Sequence, residues 1–151
     1  MRLETARRME RVKRLLRERA EMALSEAVSR HRAEVERAAQ CRRRSSEILG
    51  AFSEAAGDLD TGRLRADAEV SEGLQAIARK ADARAKDLVR DVEAARAVLI
   101  EARKRERVAE RLADRIHARE VDGALRREQA VLDEVGAWAP TQGEMGGEPI
   151  R

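Results

Sequence analysis

The sequence predicts an all-α fold: a long antiparallel two-helix coiled-coil hairpin over residues 1–138, followed by a disordered tail at 139–151. Three observations predict it. Charged residues make up 40% of the chain and aromatics 1%, so the bulky groups that usually dominate the buried area of a compact domain are missing. Its 28 Ala outnumber its 13 Leu by more than two to one. With Arg, Lys and Glu, these are the side chains that lose least freedom in a helix. Apolar residues also recur at spacings of three and four, with one clear break, at GDLDTG (57–62).

The first helix is predicted from about Leu3 to Ala56, a stretch with no Pro and with Gly50 as its only Gly. Its apolar stripe reads Met9, Val12, Leu16, Ala20 and Ala23, then drifts to Leu24, Val28, His31, Val35 and Ala38. A polar gap follows at Arg42 and Ser45, before Leu49 and Phe52. The drift resembles a stutter in a heptad pattern. The turn is placed at about 57–63, where two glycines bracket two aspartates and a threonine. Asp60 or Thr61 is suited to cap the second helix by accepting a hydrogen bond from a first-turn N–H.

The second helix carries the cleanest periodicity. Leu74, Ala78, Ala81, Ala85, Leu88, Val92, Ala95, Leu99, Ala102, Glu106, Ala109, Ala113 and Ile116 follow an alternating 4-3 spacing, and only Glu106 is not apolar. A sustained 3.5-residue repeat is the signature of a coiled-coil seam. Gly73 and Gly123 are weak points, each costing about 1 kcal/mol against Ala. The helix is predicted to run on through Leu125, Leu132 and Val135 to about Trp138, and the Pro- and Gly-containing APTQGEMGGEPIR is the tail.

A short turn between two long helices makes them antiparallel. Roughly fifty residues at about 1.5 Å each give a rod of ~75 Å. Counting back from the turn sets Leu3 opposite about Ile116, so the segment beyond Ile116 overhangs its partner. EARKRERVAERLADR (101–115) shows how thin the packing is: ten of its fifteen residues are charged, and its apolar residues are small or few. An alanine seam permits close helix approach but buries little area. A modestly stable hairpin of this kind gains stability by mass action from whatever binds it.

The net charge is +3 with the two signs mixed, which suits a solvated helix laced with i,i+4 pairs. Cys41 is alone, which fits a reducing compartment. The longest apolar run, Ala97 to Ile100, is far short of the ~20 residues of a membrane span. No hydrophobic signal region follows the basic N-terminus. A soluble cytoplasmic protein is expected.

No catalytic constellation is legible. His31 and His117 are 86 positions apart and fall at different levels of the predicted rod, with His31 on the seam. Neither HExxH nor CxxC occurs, Cys41 reads as a small near-seam residue, and GDLDTG lacks the lysine and spacing of a phosphate loop. General acid–base work needs a cleft that shifts pKa values, and a two-helix hairpin has none. The expectation is a non-enzyme with no cofactor, no metal and no small-molecule substrate.

Residues 1–20 carry eight Arg or Lys against three Glu, with Arg7, Arg11 and Arg14 on one helix face. A basic region feeding a coiled coil has the layout of a basic zipper. However, leucine heptads are missing from 12–28, and no Asn lies among the arginines to read adenine. An acidic protein surface, lipid headgroups or solvent fits that face better than nucleic acid.

AVLIEARKRERVAERLADR (97–115), followed about a dozen residues later by REQAVLDEV (127–135), resembles the C-terminal half of the FliJ family, the small coiled-coil proteins of the flagellar type III export apparatus. The resemblance lies in Glu110-Arg111-Leu112, Glu128-Gln129 and Leu132-Asp133-Glu134, with the two-helix layout over about 1–138. It implies a stalk like that of rotary ATPases. Such a stalk inserts into the hexameric flagellar export ATPase and activates it, touches a membrane export gate protein, and escorts export chaperones at the cytoplasmic face of the inner membrane. The ring contacts it implies are Arg7, Arg11 and Arg14 with the overhanging Leu125, Glu128, Gln129, Leu132, Asp133 and Glu134. Phe52 is the only aromatic near the middle segment, so no gate-contacting residues are assigned. The equivalent stalk of a virulence injectisome, and a generic coiled-coil scaffold or nucleic-acid-binding helix, stay open as alternatives.

Overall fold

A computed structural model describes residues 1–54 and 60–138 of the protein. The predicted end of the first helix at Ala56, the first part of the turn and the tail at 139–151 lie outside the described residues. Two helices make up the rest: α1, Leu3–Glu54, and α2, Thr61–Trp138. They pack against each other as an antiparallel hairpin, the fold the sequence predicts. Gly50, Gly73, Gly123 and Gly136 are all helical, so none of them breaks its helix.

The start of α2 shows why it begins where it does. The Gly62 N–H donates to Asp60 Oδ1 at 3.0 Å, and the Leu64 N–H donates to the Asp60 carbonyl oxygen at 3.0 Å. Asp60 is therefore the N-cap, its side chain satisfying a first-turn donor that has no intrahelical partner. Residues 61–63, which the sequence reads as turn, are the first turn of α2.

The chain divides into two compact units, Met1–Arg14 with Arg105–Arg151, and Leu15–Lys104. Within the second, the direction of pairing is read from side chains. Ser45 meets Ser71, Arg42 meets Asp82, and Glu21 meets Arg103, so the α2 number rises as the α1 number falls. Ala38, Ala78 and Ala81, at most 2% exposed, form its tightest cluster, with half-buried Cys41 against them. With only a methyl group on each side the backbones approach closely, and small residues become the core.

Ser45 and Ser71 are the buried polar residues of the seam, hydrogen-bonded at 2.6 Å, with Gln75 Nε2 donating to Ser45 Oγ at 3.4 Å. Paired hydroxyls satisfy each other, whereas a lone buried hydroxyl forfeits its water without return. Ser45→Ala is accordingly expected to cost ~1–2 kcal/mol, while Ser45→Ala with Ser71→Ala costs less than the sum of the single changes. Urea denaturation of the four-member cycle measures this coupling, and strict additivity would contradict it.

Glu21 carries the charged counterpart of that polar layer. It accepts from Arg103 at 3.0 Å and from Arg17 at 2.7 Å. The hydrogen bond from Arg103, then the charge of Arg17, holds its carboxyl below the usual carboxylate range. A depressed folded-state pKa contributes stability above the unfolded value of about 4.3 and loses it as pH falls through the folded value. Acidification from pH 6 to about pH 3 is thus expected to lower the melting temperature more in the wild type than in Glu21→Gln, read by circular dichroism.

In the other unit, Ala6 of α1 and Ala109 and Ala113 of α2 are buried, and Arg14 Nε lies 3.9 Å from Glu106 Oε1. Beyond Ile116 every residue of α2 to Trp138 is exposed, apart from half-buried Gly123 and Ala124. The predicted overhang is present.

All thirteen predicted seam positions of α2 are buried or half-buried. The α1 stripe needs correction. Val12, Leu16, Val28, Val35 and Leu49 are 36–48% exposed, and Ala23 is exposed too. The main line of covered positions runs Leu3, Ala6, Glu10, Lys13, Arg17, Ala20, Leu24, Ala27, His31, Glu34, Ala38, Cys41, Ser45, Ile48 and Phe52, an unbroken alternation of four and three, with Met9, Glu21 and Ala39 half-buried beside it. Of the predicted stripe, Met9, Ala20, Leu24, His31, Ala38 and Phe52 are covered as expected. No stutter exists. Met9, Leu16 and Ala23 lie on one flank of this seam and Val28, Val35 and Leu49 on the other, so following the largest apolar side chains produced the apparent drift. The fully buried members of the seam are small, Ala6, Ala20, Ala27, Ala38 and Ser45, while larger ones such as Arg17, Leu24 and His31 are half-buried.

Candidate functional site

The nine residues singled out from the sequence fall in one compact unit. Arg7, Arg11 and Arg14 lie on the first turns of α1, and Leu125, Glu128, Gln129, Leu132, Asp133 and Glu134 on α2. All nine are exposed. Their placement comes from the register: Ala6 is the buried member of the α1 repeat here, and a helix that buries position 6 turns positions 7, 11 and 14 outward.

The two groups do not converge on one point. Arg14 sits beside Glu106, and Arg7 lies about two turns farther along. The segment 125–134 begins roughly 20 Å beyond that level, at 1.5 Å per residue. Arg14 is also partly engaged within the chain, at 3.0 Å from Glu10. A partner touching both groups must therefore have a contact surface extended along the helices.

Leu125 and Leu132 are the apolar members, 58% and 68% exposed, two turns apart on one face. Val121, Val131 and Val135, between 45% and 64% exposed, add to that surface, and sequence reasoning left all three unassigned as contacts. Their signal was visible: Val121, Leu125, Leu132 and Val135 recur at intervals of four, seven and three, in a phase different from that of the alanine repeat. Asp122 and Arg126 pair at 2.7 Å, an i,i+4 bridge that supports the helix where no second helix packs on it.

The arrangement can offer an apolar stripe with charged borders to a groove or collar. Among the described residues no three His, Cys, Asp or Glu side chains cluster as a metal site would require, and no helix is long and apolar enough to cross a membrane. No protein-family model, characterised protein or solved structure matches the chain.

Proposed function

We propose that this chain is a non-catalytic stalk and chaperone-escort component of the flagellar type III export apparatus, which inserts into the hexameric export ATPase and activates it. One observation carries the reading: α2 continues from Ile116 to Trp138 as a helix whose large apolar side chains, Leu125 and Leu132 among them, stand in solvent. Exposed leucines on a helix face await a partner. The resemblance to the FliJ family supplies the partner's identity, and the quoted residues 128–134 fall on this same segment.

On this reading Arg7, Arg11 and Arg14 meet acidic positions of the ring, while 125–134 fill its apolar collar. The membrane export gate protein and export chaperones are further partners, and the chain works at the cytoplasmic face of the inner membrane.

The test is ATP turnover by the purified hexameric export ATPase with and without this chain. Turnover is expected to rise severalfold at saturation and to return to basal with Leu125→Asp/Leu132→Asp. Binding verified by co-sedimentation, without any change in turnover, would contradict the reading.

A further inference from the structure

We infer that the segment of α2 beyond Ile116 is also an interface between two copies of this chain, paired antiparallel about a twofold axis near residues 130 and 131. Continuing the α2 seam past Ile116 would put Glu120, Gly123, Arg127, Ala130 and Glu134 against α1. The large apolar residues are elsewhere. Val121, Leu125, Leu132 and Val135 are spaced by four, seven and three, and each is at least 45% exposed. At 3.6 residues per turn they span an arc of roughly 80°, more than a quarter-turn away from the seam line, with Val131 at one edge. This face is directed away from the side on which α1 packs, so the hairpin itself does not cover it.

Charge selects the occupant and its direction. Arg127 and Glu134 share the flank beside Val131. In the antiparallel pairing, Arg127 of each copy is level with Glu134 of the other, Leu125 is level with Val135, and Val131 meets its counterpart on the axis. A parallel pairing would instead put the two Arg127 side chains, like the two Glu134, on opposite flanks, and would set Glu128 on Glu128 inside the stripe. The twofold arrangement uses the same patch on both copies, so it closes as a dimer and does not propagate.

Size sets the strength. Leu125, Val131, Leu132 and Val135 of both copies, at roughly 60–100 Å² each, correspond to a total interface on the order of 1,000 Å² once polar borders are included. That is the low end for a specific interface. Glu128, lying inside the stripe, weakens it further. The dimer is therefore a micromolar one. Because Leu125 and Leu132 also serve the proposed ring contact, self-pairing and ring entry exclude each other.

The test needs only the purified chain. Sedimentation velocity from about 1 to about 300 μM, a range bracketing a micromolar Kd, is expected to show a monomer–dimer equilibrium. Arg127→Glu and Glu134→Arg are each expected to weaken it about tenfold, and the two together in one chain to restore it, with helicity checked by circular dichroism. In a Cys41→Ser background, Val131→Cys is expected to form a disulfide between copies under mild oxidation and Val121→Cys not, since antiparallel pairing separates the two residues 121 by ~28 Å. A monomer throughout, a double variant as weak as the single ones, or equal cross-linking at 121 and 131 would each overturn the inference.

Discussion

Ala78→Asp is expected to cost the hairpin about 3 kcal/mol or more and to leave much of the chain unfolded at 37 °C. Ala78 is 2% exposed and packed with Ala38 and Ala81 in the tightest part of the seam. A carboxylate there, on a one-carbon stem, replaces a methyl group packed between two other alanines and loses most of its water. An uncompensated buried charge carries a penalty of several kcal/mol, which is a large part of what a chain held by alanine methyl groups can spare. The control is Ala83→Asp, about a turn and a half away on the exposed face, which is expected to cost only the difference in helix propensity, ~0.7 kcal/mol or less. Thermal melts followed by circular dichroism compare the two. Equal losses would mean that position 78 is not a packed contact.

The second large effect runs the other way. Glu34 occupies a seam position of α1, and its Oε2 is buried without a hydrogen-bond partner. An unsatisfied acceptor of that kind costs ~1–3 kcal/mol, and an apolar side chain of similar length removes the cost while adding burial. Glu34→Leu is therefore expected to stabilise the hairpin by about 1–2 kcal/mol and to raise its melting temperature by several degrees. Glu26→Leu, on the exposed face, is expected to change stability by less than ~0.5 kcal/mol. A melting temperature unchanged or lowered by Glu34→Leu would show that this carboxylate is hydrated or paired in solution. Glu10, Lys13, Arg17 and Glu34, half-buried along one seam, are expected to leave the hairpin only modestly stable.

Much of this was legible in the residues, and the failures have a common cause. The α2 repeat could be read because its alanines and leucines hold one phase over Leu74 to Ile116 with only Glu106 out of character. A cap at Asp60 or Thr61, of which Asp60 is the one used, the single reversal of direction and the overhang follow from turn chemistry and counting. The α1 register was not legible by the same method. Weighting side chains by size favours Val12, Leu16, Val28 and Val35, yet a seam facing alanines admits Ala20, Ala27 and Ala38 and tolerates long polar stems at Lys13 and Arg17. Ser71 went unread because a serine is unremarked until its partner, Ser45, is known to face it. The candidate contacts at 125–134 were found by resemblance, and their neighbours Val121, Val131 and Val135 needed the exposure of the helix to be noticed.

The fold-back itself is the claim on which the exposed segment, the seam and the proposed partner all depend. Spin labels at Arg42→Cys and Asp82→Cys, in a Cys41→Ser background, test it by pulsed electron resonance, since these two side chains meet across the hairpin. An antiparallel pair with axes about 8–10 Å apart predicts a label separation of roughly 20 Å or less. A separation near 60 Å, the length of forty residues of continuous helix, would mean that the chain runs straight, and the account would be wrong.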